Sequence, residues 1–201
     1  MDASGCTVSP LDSSTWPAYE AAVREAGGMP AGCWCMAFHP EGTAMAGRGA
    51  DAELNCARRR AKVEAGTTRA ALVLDGERCV GWCQYGTPDE LPRIKNRGAY
   101  EKAVEKLPDW RIGCCYVTKP SRRHGVSEIA LRGAIDLIAR AGGGVVEGYP
   151  EPADQVPAGF LFHGSLGTFE RLGFTRTRQI GKHRWVVTRQ VDPAPPAAGA
   201  P

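Results

Sequence analysis

Residues 112–127, IGCCYVTKPSRRHGVS, constrain the fold of this chain more than any other stretch. An apolar, β-favouring run enters a basic turn that carries Gly125, and the turn opens into a helix. Val126, Ile129, Ala130, Gly133, Ala134, Leu137, Ile138 and Ala141 recur at three- and four-residue steps and form one apolar stripe. Glu128, Arg132, Asp136 and Arg140 alternate in sign on the opposite face, as on a solvated helical surface. Glycines 142–144 end the helix, and Val145, Val146, Glu147, Gly148 and Tyr149 form a short β-favouring run stopped by Pro150. The order is therefore strand, basic turn, helix, strand.

The turn suits an anion. The N–H groups at a helix start point outward with partial positive charge, and Arg122 and Arg123 add full charges beside them. By position, Arg122, Arg123, His124, Gly125, Val126 and Ser127 resemble the acyl-CoA signature of the GNAT acyltransferase superfamily, a turn that begins with Gln or Arg, has Gly fourth and Gly or Ala sixth. Ser127 departs from that pattern, although a small hydroxyl residue suits a helix start. Residues 168–174, TFERLGF, resemble the late helix of the same family, usually Tyr-x-x-x-Gly-Phe, with Phe169 where the tyrosine stands. Gly32 to Met36, GCWCM, is similar to a segment of one subgroup to which no substrate is attached. The resemblance spans roughly residues 6–190.

The resemblance implies one α/β (α+β) domain over residues 1–191, with a mixed central sheet splayed between its fourth and fifth strands and flanked by helices. The splay would admit the pantetheine arm of acetyl-CoA or another acyl-CoA, with backbone groups of Cys115, Tyr116 and Val117 pairing as an added strand would. The pyrophosphate would rest on the N–H groups of Arg123, His124, Gly125, Val126 and Ser127, with Arg122 alongside, and Phe169 would face the carrier from the late helix. Lys119 is a further phosphate contact or merely an exposed cation. The implied reaction is direct acyl transfer, most often acetyl, to a primary amine of a small molecule or protein, without a metal; the donor is CoA or an acyl carrier protein bearing the same arm. Dimers are common in the family, so a homodimer is also implied.

An alkylammonium of pKa ~10 must lose a proton before attack, whereas a thiol of pKa about 8.5 leaves with little help. Glu147, the sole carboxylate in its strand, is the first choice as base, and Tyr149, two residues on and on the same side, as proton donor. Both have plainer readings, an edge carboxylate paired with an arginine and a buried aromatic. His163, Ser165 and His39 are reserves, and His124 belongs with the phosphate turn. Trp34, Trp82 and Tyr85 would line the acceptor site or fill the core.

Elsewhere the pattern predicts a strand at 6–9, a helix from Trp16 to Ala26, and an irregular stretch or short strand at 32–40. A helix follows at 51–65, then a hairpin of strands 70–74 and 78–85 about Asp75-Gly76. A proline-bounded excursion at 88–108 holds a short helix near 100–106, a second excursion covers 149–157, and 185–191 closes the sheet. The tail 192–201, DPAPPAAGAP, is too poor in apolar surface to order itself.

A net charge of +3 gives little reason to expect nucleic-acid binding, and Arg58, Arg59 and Arg60 read as a solvated helix face. No apolar run approaches the ~20 residues that span a bilayer. The amino terminus has neither a basic region nor an apolar stretch, so cytoplasmic residence is the expectation. Eight cysteines raise the alternative of a metal or redox protein, but Cys33 and Cys35, Cys79 and Cys83, and Cys114 and Cys115 form no pair of Cys-x-x-Cys knuckles. A cysteine hydrolase is more remote, because no histidine sits in a recognisable motif with Cys114 or Cys115. Phe169, lacking a hydroxyl, supports a further alternative: a relative that binds acyl-CoA without turnover.

Overall fold

The computed structural model describes residues 3–41, 51–157 and 161–195. Strands β1 (Thr7–Pro10), β2 (Arg69–Asp75), β3 (Arg78–Gly86), β4 (Trp110–Val117), β5 (Gly144–Gly148), β6 (Thr175–Gln179) and β7 (Trp185–Val191) form one sheet in the order β1-β2-β3-β4-β5-β7-β6. All neighbours are antiparallel except β4 and β5. Helices α1 (Trp16–Ala26), α2 (Gly28–Cys33), α3 (Ala52–Glu64), α4 (Arg97–Glu101), α5 (Val126–Arg140) and α6 (Leu166–Arg171) flank it.

Helix α5 is the crossover that joins the parallel strands β4 and β5. It buries Val126, Ala130, Leu131, Ala134, Ile135 and Ile138 against one sheet face, while Ile129 and Leu137 lie half-buried at the margin. Each large aliphatic side chain so covered contributes about 1.5–3 kcal/mol. On the other face Trp16, Tyr19 and Val23 of α1 pack with Trp34, Cys35, Met36 and Trp82 in a second core.

The splay has a local cause. Residues 112 to 115 of β4 face 85 to 83 of β3, so β4 carries one extra residue, a bulge that bends the strand. Gly113 sits in it, where a Cβ would press on the Gln84 amide at 2.9 Å. β4 pairs with β5 only at Trp110↔Val146 and Arg111↔Glu147, and beyond that point the strands diverge.

Several sequence expectations shift. β1 begins at Thr7 rather than Cys6, and the short helix of the first excursion lies at Arg97–Glu101 rather than 100–106. Residues 32–40 contain no strand: α2 ends at Cys33, Trp34 and Cys35 are both left-handed (φ 51° and 57°), and a 3-10 turn follows at Met36–Phe38. Two successive left-handed residues fold this segment back over the sheet instead of along it. Arg58 and Arg60 lie toward solvent, but Arg59 is 0% exposed beneath α3. Of the tail, residues 192–195 are described, and Ala194 N–H donates to Ala139 O at 2.8 Å; the remainder of that expectation lies outside the described residues. No helix among the described residues is long and apolar enough to cross a membrane.

Candidate active site

The bulged strand, the basic turn and the head of α5 meet around a cleft of about 350 Å³. Cys115, Tyr116, Val117, Arg122, Arg123, Gly125, Val126 and Ser127, named from the sequence, all line it. His124, exposed in the turn, does not, and Phe169 is 0% exposed in the core against Phe174 and Gly148.

The turn presents an amide cradle. Arg123 (φ 66°) and Gly125 (φ 80°) are left-handed, a sequence of conformations that turns successive N–H groups to one side. For Arg123 that conformation costs on the order of 1 kcal/mol, and Gly125 adopts it without a Cβ penalty. The Gly125 carbonyl accepts from Glu128 and Ile129 and starts α5. Among the described residues, no protein acceptor meets the N–H of Arg123, His124, Gly125, Val126 or Ser127.

The β4 edge beside this cradle is already engaged. Thr118 N–H donates back to Val80 O on β3, so the backbone groups of Val117 face the gap. Arg122 Nε donates to Val117 O at 3.3 Å, with its guanidinium 5.9 Å from the Tyr116 ring centroid. Cys115 N–H donates to Phe162 O at 2.8 Å, which lays residues 161–165 across the gap. Ser165 lines the same cleft and its Oγ lies 2.7 Å from Thr168 Oγ1.

A second cavity of about 180 Å³ shares Met29, Tyr116 and Phe162 with the first. Trp82, Cys33, Cys35, Cys114 and Lys95 also line it. Trp82 Nε1 donates to Cys35 Sγ at 3.2 Å. The Cys114 thiol, the Arg59 guanidinium, the Trp82 N–H and the Tyr19 hydroxyl together outweigh burial and hold the Cys35 thiol down to about 6. Cys33 is pushed up to about 11 by burial and by the Cys35 charge, and Cys114 rises through its bond to Cys35. Trp34 and Tyr85 line neither cavity: Trp34 stacks on Trp16, and Tyr85 packs by Trp110.

Glu147 and Tyr149 are brought together, but away from both cavities. Tyr149 Oη donates to Glu147 Oε1 at 2.6 Å, and Arg178 Nη2 lies 3.6 Å from Glu147 Oε2. Tyr100 and Arg111 complete the cluster, their side chains joined at 3.4 Å. Burial, and then the Glu147 charge, raises the Tyr149 phenol well above its ordinary value. His39 is buried among Arg59, Thr68 and Gln84, and His163 lies 3.3 Å from Arg184. No disulfide and no group of three potential metal ligands occurs among the described residues. Met29, Phe162 and Lys95 were not legible as site residues, because Met29 sits on the short helix α2 and Phe162 and Lys95 in separate loops, none of them within a periodic pattern. Cys35 had its signal in the Gly-Cys-Trp-Cys-Met segment.

A parallel β4–β5 pair opened by a bulge, with an amide-bearing turn leading into the intervening helix, defines the GNAT acyltransferase fold, and this chain has that fold. The structure of histone acetyltransferase HPA2 and related acetyltransferase from Corynebacterium glutamicum aligns with a TM-score of 0.54 at 18% identity, covering 96% of this chain and 99% of the other. A mosquito arylalkylamine N-acetyltransferase like 5b aligns at 0.53 and 11% identity, covering 92% and 99%, and an aminoglycoside 6'-acetyltransferase type Ii at 0.52 and 13%, covering 94% and 99%. No family model and no curated protein matches the chain.

Proposed function

We propose that this protein is an acyl-CoA-dependent N-acyltransferase that moves an acyl group, most simply acetyl, to a primary amine of a small molecule or protein by direct attack in a ternary complex. The observation that carries this reading is the set of N–H groups from Arg123 to Ser127 without protein acceptors, at a helix start beside a cleft lined by two arginines. A diphosphate satisfies those donors and the arginine charges together, so the residues fit the carrier. The neighbours of like fold include enzymes named for acetyl transfer to arylalkylamines and aminoglycosides, which makes an amine the natural acceptor class.

In this reading the pantetheine arm lies along β4. Its amides take over Val117 O from Arg122 and Cys115 N–H from Phe162 O, and another N–H of the bulged strand that faces the gap then stabilises the tetrahedral oxyanion. The acceptor enters by the second cavity, past Trp82 and Tyr116. For the proton, Glu147 with Tyr149 act through water, since both carboxylate oxygens are held within their own cluster.

Calorimetry with CoA and acetyl-CoA, followed by thiol release with a panel of aliphatic and aryl amines, tests the proposal. Binding with amine-dependent CoA release supports it. The second reading, a module that binds acyl-CoA without turnover, draws on Phe169 in place of a tyrosine and on the closed β4 edge. Tight binding without release to any amine would favour that module, and absence of binding would remove both.

A further inference from the structure

Arg59 is 0% exposed, and no carboxylate lies within ion-pair distance of it among the described residues. Its Nη1 meets His39 Nε2 at 3.0 Å and the Thr68 hydroxyl, both neutral groups, and its Nε and Nη2 have no hydrogen-bond partner. No acidic residue occurs between positions 42 and 50. A buried guanidinium without a counter-charge costs several kcal/mol, so an anion belongs nearby. One residue links this guanidinium to Cys35, 4% exposed: Gln84 Nε2 lies 3.1 Å from both Cys35 O and the His39 Nε2 that Arg59 meets, and the Cys35 sulfur receives the Trp82 N–H at 3.2 Å. The Arg59 charge and the Cys114 thiol both act on that sulfur. Tyr19 Oη is itself without a geometric hydrogen-bond partner, a further buried donor on that side. Cys35 also lines the second cavity, which shares three residues with the cleft.

We propose that Cys35 is a standing thiolate, the counter-charge of Arg59, and that, when no amine acceptor is bound, it takes an acyl group from a thioester seated in the adjoining cleft, a side reaction separate from direct transfer to the amine. The Cys35 sulfur attacks the thioester carbonyl carbon and forms a new carbon–sulfur bond. The bond from that carbon to the carrier sulfur breaks, and the carrier leaves as a thiolate that takes its proton from water. No oxidant or reductant is needed, and Cys33 and Cys114 keep their protons. The thioester donor rests on the proposed function; the thiolate does not.

The test uses the reduced full-length protein in two arms near neutral pH, one with acetyl-CoA and one with p-nitrophenyl acetate, which needs no carrier site. Each is quenched in acid and mapped by mass spectrometry. The expected result is one hydroxylamine-labile acetyl group on Cys35 in both arms, absent in Cys35→Ser and retained in Cys6→Ser. Alkylation of Cys35 by iodoacetamide should slow at least about tenfold in Arg59→Met, and less in Trp82→Phe, which removes one donor and leaves the cation. Labelling by p-nitrophenyl acetate alone would uphold the thiolate and overturn the thioester donor. Absence of label on Cys35 in both arms, or equal label on the other cysteines, would overturn the whole proposal.

Discussion

His39 and His163 illustrate how single residues make this fold sensitive to pH. Burial, then Arg59 and Lys62, hold His39 down to about 3; burial, then Arg184 and Lys95, hold His163 well below the ordinary imidazole value. Both are neutral when folded and protonate near 6.5 when unfolded, so the unfolded chain binds more protons below that pH. Their contribution is fully present above about pH 6.5 and is lost as pH falls toward the folded values, by up to roughly 2.7 kcal/mol per pH unit for the two together. Urea unfolding between about pH 6.5 and 5 should show this slope, and His39→Gln should about halve it; a flat profile in the wild type would contradict the assignment. Cys35 acts in the same direction over a higher window: stability from its ionised form is complete above the ordinary thiol value of 9.0 and disappears as pH drops through about 6. For Glu147, 3% exposed and held by Tyr149 and Arg178, substitution by Gln should cost about 2–3 kcal/mol in unfolding free energy, Arg178 being partly solvated. If Glu147→Gln instead lowered kcat and removed the acid limb of its pH profile at unchanged stability, Glu147 would be the base. At this scale the sequence was readable where a residue sits in a pattern, as Arg122 to Ser127 do. It failed for Arg59, whose charged neighbours Arg58 and Arg60 mask an inward-facing position that only the helix phase against the sheet decides.

Helix α5 and its turn were legible because a long periodic stripe, a basic run and a glycine agree over consecutive residues. The six-residue α2 was not: its two glycines and its proline have weak helix preference, and the helix exists because Pro30 fits its first turn and its end packs over the sheet. The bulge in β4 was equally hidden, since one extra residue leaves no compositional trace beyond Gly113. These elements carry separate expectations. Arg122→Ala should weaken CoA binding several-fold, more at low than at high salt, as measured by calorimetry, because an exposed cation facing phosphate is screened by ions. An equal loss at both salts would assign Arg122 to holding Val117 O instead. CoA should also detach Phe162 O from the Cys115 N–H and so release the loop 161–165 from β4, and the Gly164 N–H, which donates to Leu161 O, should then exchange hydrogen faster. Unchanged exchange at saturation would mean that the arm does not lie along β4.

Across the whole molecule, one seven-stranded sheet places two cavities on either side of Tyr116 and Phe162, one beside a cradle of unengaged amides and one walled by aromatics and thiols. The division follows from the bulge: it ends β4–β5 pairing after Arg111 and Glu147 and so leaves the gap that both cavities adjoin. The account depends on those amides being the seat of a diphosphate. Titrating isotope-labelled protein with CoA while following backbone amide resonances tests this most directly. The amides of Arg123 to Ser127 should shift first and furthest and saturate together; binding that leaves them unmoved, or no binding at millimolar CoA, would contradict it.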